Sequence, residues 1–413
     1  MIFEKLERIG GNRVVIALSS ARLGDAIGNS ILFIVLPLFV AKLPSPAFPF
    51  PDTVRVGLLI AMFGFVNALL QPFAGALIDR AGRRKPFILA GLFMLGLATV
   101  GFIFASRFSD LLFLRIFQGI GVALTIPAAL ALMVGSSKKE TRGGSMGIYT
   151  TSRMVGLGIG PLLGGALYDR YGIEAAFYAG SAFILVALIL VQLWVKEKPV
   201  QRTAKKPIKF QIIDTNLLTV GIVGVSFATL VMAGSFSMMA ALEDQFNQRL
   251  GMTAFVFSLA FSALLFSRVF TQVPLGRLSD RIGRKPLIIA GLLLMAPITA
   301  MLGYASSATE LIILRLLQGL ASAGVAAPAF AIAGDMAQEG GEGRQMSFIT
   351  MGFGLGVALG PLLAGILAVH SFTLPFIIGG LVCIPGAWVV YRYVPETVNV
   401  QETRQEVHSP TDD

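Results

Sequence analysis

The sequence predicts an all-α membrane protein in which twelve transmembrane helices form two parallel six-helix repeats around a central cavity. Three observations support this fold class. The chain of 413 residues is 55% hydrophobic and only 14% charged, whereas an ordinary soluble domain is about 25% charged. Its apolar residues fall into about twelve stretches of roughly 20 residues, the length that crosses a bilayer. A set of polar motifs also occurs twice, about 200 residues apart.

The apolar stretches divide the chain into two halves of six spans each. They lie near 14–41, 54–77, 86–106, 109–134, 145–168, 173–195, 215–242, 253–277, 286–306, 308–334, 345–368 and 372–394. We therefore predict an N-terminal bundle over 1–195, a basic cytoplasmic linker over 196–213, a C-terminal bundle over 214–394 and a cytoplasmic tail over 395–413. Because six is an even number of spans, both halves begin on the same side of the membrane, and the repeat is parallel.

The placement of lysine and arginine predicts the orientation. These residues cluster at the N-terminus and in the connections between spans two and three, four and five, and six and seven. Positively charged loops remain on the cytoplasmic side of a membrane. We therefore expect a multi-pass protein of the cell membrane with both termini in the cytoplasm. The first apolar stretch is too long for the core of a signal peptide, so we expect it to remain as a helix.

The composition argues against several function classes. The net charge of +10 comes from short loops between spans, so nucleic acid is not an expected partner. A single cysteine, Cys383, excludes an internal disulfide, and two distant histidines do not indicate a metal site. The sequence has no Gly-x-x-x-x-Gly-Lys-Ser/Thr loop for ATP and no Ser/His/Asp set. We therefore expect neither an enzyme nor a bound cofactor.

Three motifs occur once in each half. A charged hairpin, Gly75–Pro86 (GALIDRAGRRKP), returns as Gly276–Pro286 (GRLSDRIGRKP). The other two repeated sets are Arg115, Gln118 and Gly119 with Arg315, Gln318 and Gly319, and Gly156, Gly160 and Pro161 with Gly356, Gly360 and Pro361. The offset is 200 residues, or 201 in the hairpins as far as Gly283. So many matches at one offset indicate that a six-helix unit was duplicated.

These motifs resemble signatures of the major facilitator superfamily, and the resemblance covers almost the whole chain. The hairpin is similar to the family's signature between spans two and three, and the Arg115 stretch to its fourth-span signature. The stretch from Gly156 to Gly165 resembles the fifth-span signature of exporters that exchange substrate for protons. The first span, with Asp25, Gly28 and Pro37, resembles drug:proton antiporters.

The resemblance implies a secondary active transporter that works by alternating access. The expected activity is proton-coupled export, by antiport, of a small amphipathic or drug-like compound. The alternative is a symporter or uniporter for an organic anion or another small metabolite. The expected partners are a small-molecule substrate, protons and the lipid bilayer, and the chain is expected to be a monomer. A receptor or scaffold would need neither the duplicated hairpins nor the Gly-Pro stretches.

Asp25 is the leading candidate for proton coupling. It lies about 18 Å along the first span, near the bilayer midplane, where a carboxylate is costly unless it faces a cavity or a partner. Burial favours the neutral carboxyl group, so Asp25 can bind and release a proton. The alternative is a static ion pair with Arg22, one turn away. Arg22 and Asn29 share this face and are candidate substrate contacts.

Three further arginines lie inside predicted spans. Arg115 either couples to a carboxylate of the first span or has a packing role that its repeat shares. Arg153 and Arg268 break the repeat, because the matching positions hold Phe353 and Asn67. We expect these two arginines to bind an anionic or zwitterionic group of the substrate. The alternative is that each pairs with an internal carboxylate.

The hairpins and the Gly-Pro stretches supply the candidates for gating. An acidic residue beside arginines at a helix end can latch the two halves in one conformation, or can form only a local ion pair in a positive loop. The Gly-Pro stretches can prevent leakage and control closure, or can only let helices pack closely. The gating candidates are Gly75, Asp79, Arg80, Gly82, Arg83, Asp280, Arg281, Arg284, Gly160, Pro161, Gly360 and Pro361.

Overall fold

The computed structural model describes residues 12–136, 142–197, 219–336 and 342–398. These residues form thirteen α-helices and no strand. The helices are α1 (Arg13–Val40), α2 (Asp52–Ala81), α3 (Lys85–Gly101), α4 (Phe108–Ser136), α5 (Arg142–Tyr171), α6 (Ile173–Trp194), α7 (Val220–Ser237), α8 (Glu243–Leu250), α9 (Ala254–Ile282), α10 (Arg284–Leu302), α11 (Ala308–Asp335), α12 (Glu342–Ala368) and α13 (Leu374–Tyr393). Twelve are long and α8 is short, so the predicted twelve-helix, all-α fold is confirmed.

Eleven of the described helices are both long enough and apolar enough to cross a membrane. The remaining long helix, α5, has 30 residues, which give it a length of about 45 Å. It is less apolar because it carries polar residues at both ends and Arg153 between them. Its length, rather than its hydropathy, therefore identifies α5 as the twelfth membrane-length helix.

Local sequence signals fix several helix ends. The side chains of Asn12, Thr219 and Ser307 accept hydrogen bonds from backbone N–H groups at the starts of α1, α7 and α11, at 2.9, 3.3 and 3.2 Å. Gly82 ends α2 with a φ of 66°, and its repeat partner Gly283 precedes α10 with a φ of 101°. These positive φ angles favour glycine, which explains why each hairpin has one at this position.

The seventh predicted span differs from the structure. We expected one helix to continue to about residue 242, but α7 ends at Ser237 and a 3-10 turn (Met238–Ala241) leads into α8. The reason is composition, because α8 has the sequence EDQFNQRL and cannot extend an apolar span. Residues 215–218, where we placed the start of this span, lie outside the described residues.

The helices form two compact units. The first contains the described residues up to 197 together with 240–262, which include α8 and the beginning of α9. Within it, α1 packs against α5 and α6, and α3 packs against α4 and α6. Its core consists of buried apolar side chains of these helices, such as Leu18, Leu92 and Ile184.

The second unit contains residues 219–239 and the described residues from 263 onward. Within it, α7 packs against α12 and α13, and α10 packs against α11 and α13. Each unit thus uses the same pairing of helices. The linker after residue 197 and the tail after residue 398 lie outside the described residues, and the predicted domain boundaries and orientation stay predictions.

Candidate functional site

A buried arginine, glutamine and threonine form a hydrogen-bond chain in the first unit. Arg115 donates from Nη1 to Gln118 Oε1 at 3.1 Å, and Gln118 donates from Nε2 to Thr99 Oγ1 at 3.0 Å. The guanidinium carbon lies 5.2 Å from the ring centroid of Phe63 and 6.0 Å from that of Phe102. No carboxylate of the described residues pairs with Arg115. These contacts fit the packing alternative, and a role in proton coupling stays a prediction.

The second unit repeats this chain and adds one bond. Arg315 donates to Gln318 Oε1 at 2.7 Å, and Gln318 donates to Thr299 Oγ1 at 2.9 Å. Arg315 also donates to the backbone carbonyl of Phe236 at 2.9 Å. Phe236 lies in the last turn of α7, where carbonyl groups lack partners within the helix. The extra bond therefore ties α11 to the end of α7.

Asp25 lies in the interior of the first unit. Its carboxylate forms an ion pair with Arg22, and both side chains are buried. The guanidinium carbon of Arg22 lies 6.0 Å from the ring centroid of Tyr149 on α5. The three side chains border a cavity with room for about one water molecule, whose walls come from α1, α3, α4, α5 and α6. The structure thus contains the ion pair that we considered as an alternative, and proton carriage by Asp25 stays a prediction.

The Gly-Pro stretch crosses the first helix of each unit in the same way. Ser30 Oγ donates to the carbonyl of Gly156 at 3.2 Å, and Ser237 Oγ donates to the carbonyl of Gly356 at 3.4 Å. A side-chain carbon at Gly156 would lie only 2.7 Å from the carbonyl oxygen of Leu23. Glycine is required here because any side chain would push the helices apart.

The next turn of each helix makes the same contact. Gly160 and Gly360 face the serine and the backbone of α1 and α7, respectively, so closely that a side-chain carbon would overlap them. Pro161 and Pro361 follow inside α5 and α12. This geometry accounts for the motif by close packing, and a role in gating stays a prediction.

These crossings align the two units residue by residue. The first helices match with an offset of 207, whereas α5 matches α12 with an offset of 200. On this alignment, the positions of Arg22, Asp25 and Tyr149 hold Thr229, Met232 and Ile349 in the second unit. The buried ion pair is therefore specific to the first unit.

Arg268 lies between two aromatic rings of the second unit. Its guanidinium carbon is 5.9 Å from the ring centroid of Phe236 and 5.3 Å from that of Phe353. The side chain is buried, and its Nε has no hydrogen-bond acceptor in the described part of the chain. In the first unit, the positions of Arg268, Phe236 and Phe353 hold Asn67, Asn29 and Arg153. Each unit thus has one arginine among these three matched positions, which is Arg268 on α9 in the second unit and Arg153 on α5 in the first unit.

The amide oxygen of Asn29 is a second candidate for hydrogen bonding to a substrate. Its Oδ1 is buried and has no donor among the residues that the structure describes. Asn67 Oδ1, by comparison, accepts from Gln71 Nε2 at 3.2 Å. A buried polar atom without a partner is rare and is a candidate for ligand contact. Substrate contact by Asn29, Arg22, Arg153 and Arg268 stays a prediction.

A glutamate that the sequence analysis missed closes the first hairpin. Glu197, just after α6, accepts hydrogen bonds from the backbone N–H groups of Arg84 and Lys85 at 2.7 and 2.9 Å. The carboxylate therefore caps the start of α3, where the helix dipole favours negative charge.

Glu396 closes the second hairpin in the same manner. It accepts hydrogen bonds from the backbone N–H groups of Arg284 and Lys285, both at 3.0 Å. Burial raises the pKa of Glu396, but backbone hydrogen bonds from Arg284, Val398, Lys285 and Thr397 together hold it below its ordinary value. The group is thus a charged cap on α10.

Among the remaining hairpin residues, Arg284 has two acidic partners. Arg284 pairs with Asp280 at 3.5 Å and also with Asp335. A side-chain carbon at Gly75 would meet no described atom within 4 Å, so this glycine makes no close contact with a described helix. The side chain of Asp79 lies outside the described residues. The gating candidates Arg80, Arg83 and Arg281 are exposed. A latch between the halves stays a prediction.

Most of the residues that we missed carry a signal in the repeat itself. Thr99 and Thr299 share the offset of the arginine motif, and Glu197 and Glu396 are 199 residues apart. Matching every polar residue between the halves would have found both pairs. Tyr149 has no such signal, since its counterpart is Ile349.

Comparison with known proteins agrees with this architecture. Residues 18–239 and 225–411 match the family model described as Major Facilitator Superfamily. The chain is 29% identical over 346 residues to the multi-drug resistance efflux pump PmrA of Streptococcus pneumoniae serotype 4, covering 81% of this chain and 84% of PmrA. It is 26% identical over 270 residues to the multidrug resistance protein MdtG of Escherichia fergusonii, covering 64% and 66%.

Solved structures share the fold at low sequence identity. The crystal structure of a D-xylose-proton symporter has a TM-score of 0.75 and 16% identity, covering 93% of this chain and 98% of the symporter. A bacterial homolog of the human lysosomal transporter Spinster, in an inward-facing and unoccupied conformation, has a TM-score of 0.72 and 18% identity, covering 92% and 94%. Because the family matches span both halves, this multi-pass membrane protein belongs to the Major Facilitator Superfamily and is a transporter rather than an enzyme.

Proposed function

We propose that the protein is a proton-coupled antiporter that exports a small amphipathic or drug-like compound by alternating access. The observation that carries this proposal is the buried Asp25 carboxylate, whose partner and surroundings occur in only one of the two units. The substrate class is supported by relatives that are named multidrug efflux pumps and resistance proteins. We place the protein in the cell membrane as a monomer with both termini in the cytoplasm.

Proton binding at Asp25 acts through its ion pair. Arg22 and Asp25 offset each other's charge in an environment where a single charge is costly. A proton on Asp25 leaves the Arg22 guanidinium buried without a counter-charge, so α1 is driven to rearrange. Leu23 and Ala26 flank Asp25 and pack directly on Gly156. A movement of α1 is therefore passed to α5, and the Gly-Pro stretches and hairpins control the accompanying opening and closure.

Substrate recognition begins with two buried polar atoms that have no partner among the described residues, Asn29 Oδ1 and Arg268 Nε. Asn29 lies one turn from Asp25, and its Oδ1 accepts a hydrogen bond from the substrate. Arg268 lies between phenylalanine rings and suits a flat aromatic or anionic group of the substrate. Arg22 and Arg153 contribute further contacts. Each of these groups suits the polar part of a compound that is otherwise apolar.

The second candidate is a symporter or uniporter for an organic anion. The observation that favours it is the buried Arg268, whose Nε has no acceptor among the described residues. A carboxylate or phosphate group of a substrate would supply that acceptor in a charge-assisted hydrogen bond.

Transport by reconstituted protein tests both candidates. Proteoliposomes with an imposed pH gradient and a pH-sensitive dye inside are supplied with a lipophilic fluorescent cation or a lipophilic fluorescent anion. We expect the wild type to move the compound opposite to protons, Asp25→Asn to lose this coupling, and the matched exposed variant Asp52→Asn to retain it. Asp25→Asn with unchanged transport and coupling contradicts the assignment. Anion uptake in the same direction as protons favours the symporter.

A further inference from the structure

Residues 240–262 are the part of the second sequence half that packs with the first unit. Asp169, near the end of α5, accepts hydrogen bonds from the backbone N–H groups of Ala254 and Phe255 at 3.2 and 2.9 Å, and so caps α9. Further along α9, the ring of Phe261 stacks on that of Phe33 of α1, with centroids 5.9 Å apart. Contacts to both α1 and α5 therefore dock this segment.

The first residue of α8 is a buried carboxyl group within the docked segment. Glu243 is 0% exposed, and neither Oε1 nor Oε2 has a hydrogen-bond partner among the described residues. An ionised carboxylate that is buried without donors is strongly unfavourable, whereas the protonated group is not charged. The start of a helix favours negative charge, but this effect is smaller than the cost of burying an unpaired charge.

The charged groups that act on Glu243 from α8 and α5 are also acidic. Burial is the largest cause that raises the pKa of Glu243 well above its ordinary value, followed by the neighbouring charges of Asp244 on α8 and Asp169 on α5. The carboxylate of Asp169 is fixed in place by its two bonds to α9. Ionisation of Glu243 would therefore add a third negative charge to this place.

Three cations on or next to α1, α5 and α8 make other contacts or lie at the far end of α8. Lys42, which follows α1, donates to the hydroxyl of Tyr168 at 3.3 Å. The guanidinium carbon of Arg170 lies 5.4 Å from the ring centroid of Tyr171. Arg249 lies in the last turn of α8, at the opposite end from Glu243.

We propose that Glu243 is a second proton-binding site, which is protonated while residues 240–262 are docked on α1 and α5 and loses its proton when α8 undocks and exposes Glu243 to water. The two states differ in proton affinity, so low pH favours the docked state, and rising pH releases the segment. The site is separate from Asp25 and does not depend on the proposed antiport. It gives the transporter a proton-dependent contact between α8, α1 and α5.

Infrared spectroscopy tests the protonation directly. The purified protein at neutral pH should show the carbonyl stretch of a protonated carboxylic acid, and Glu243→Gln should remove it. The matched control Glu174→Gln, an exposed glutamate in the first turn of α6, should leave it unchanged. A spectrum that is the same for wild type and Glu243→Gln would overturn the proposal.

Spin-label distances test the link between protonation and docking. Labels are attached at Phe255→Cys and Tyr178→Cys, both exposed positions, after the single cysteine is removed by Cys383→Ser. As pH rises, we expect a longer distance to appear in the parent and not in Glu243→Gln, which keeps the docked distance throughout. Asp244→Asn should move the transition to lower pH, because it removes a charge that favours protonation of Glu243.

The outcomes of the distance measurement are decisive. Equal pH dependence in the parent and in Glu243→Gln, or a distance that does not respond to pH in the parent, contradicts the proposal. If Glu243→Gln does not fold, the direction of the Asp244→Asn shift still decides it, since a shift to higher pH or no shift overturns it. Because none of these measurements needs transport, failure of the antiport proposal at Asp25 is detected separately.

Discussion

Removal of the Asp25 charge should destabilise the protein far more than removal of an exposed carboxylate with the same spacing. The side chains of Arg22 and Asp25 are only 9% and 4% exposed, and Arg22 Nε has no acceptor among the described residues. Asp25→Asn leaves this guanidinium buried without a counter-charge, which should cost about 3–5 kcal/mol. Asp52 also pairs with an arginine three residues away but is 50% exposed, so Asp52→Asn should cost about 0–1 kcal/mol.

The single cysteine provides the assay. Cys383 is buried in α13, so a thiol-reactive fluorophore reports when the protein unfolds during heating in detergent. About 1 kcal/mol corresponds to roughly 2–4 °C for a domain of 150–250 residues. We therefore expect Asp25→Asn to melt at least about 6 °C below wild type, and Asp52→Asn to melt within a few degrees of it.

A double variant separates the cause from other effects of the substitution. Arg22→Met combined with Asp25→Asn removes both charges and should recover much of the lost stability, because a well-packed neutral pair can replace a buried ion pair. Equal melting midpoints for Asp25→Asn and Asp52→Asn would show that the buried charge is not costly. A double variant no more stable than Asp25→Asn would show that the unpaired guanidinium is not the cause.

Two further predictions concern the second unit. The pKa of Glu396 is lowered on folding, so its cap stabilises the protein at pH values above the ordinary pKa of glutamate. This stabilisation is lost as the pH falls through the lowered pKa of the folded state. Glu396→Gln should therefore cost about 0.5–2 kcal/mol at neutral pH, and its melting midpoint should decrease less than that of the wild type as the pH becomes acidic. A side-chain carbon at Gly360 would lie 3.0 Å from the carbonyl carbon of Gly234, whereas one at Gly354 would meet no atom of the described residues within 4 Å. Gly360→Ala should thus cost about 1–3 kcal/mol and Gly354→Ala should stabilise by about 0.5–1 kcal/mol, and equal midpoints would contradict this.

The sequence was sufficient to predict the helices because a bilayer restricts what can cross it. Every backbone polar group must be satisfied within the segment, so apolar length alone predicts helix position. The prediction failed at α7 and α8, where the polar residues from Glu243 onward stop the span but do not stop the helical conformation. Hydropathy gives no information about a short polar helix that is buried against other helices.

The candidate site was less accessible to sequence reasoning, because its contacts join distant parts of the chain. Arg22 and Asp25 are three residues apart, and their pairing follows from helix geometry. The position of Tyr149 beside them depends on how α5 crosses α1, which the sequence does not specify. The caps at Glu197 and Glu396 likewise connect residues more than 100 positions apart.

The duplication separates residues that maintain the fold from residues that give the two units different chemistry. The Arg-Gln-Thr chain and the glycine crossings occur in both units with the same partners, so they serve a requirement that both units share. The buried Arg22–Asp25 ion pair has no counterpart in the described part of the second unit, and Arg268, between Phe236 and Phe353, is matched by Asn67 in the first unit. Features that both units share cannot explain why one unit holds the Asp25 carboxylate and the other holds the Arg268 guanidinium. We therefore expect substitutions at Asp25 and Arg268 to change coupling and substrate preference, and substitutions at Gln118 or Gln318 to change stability first.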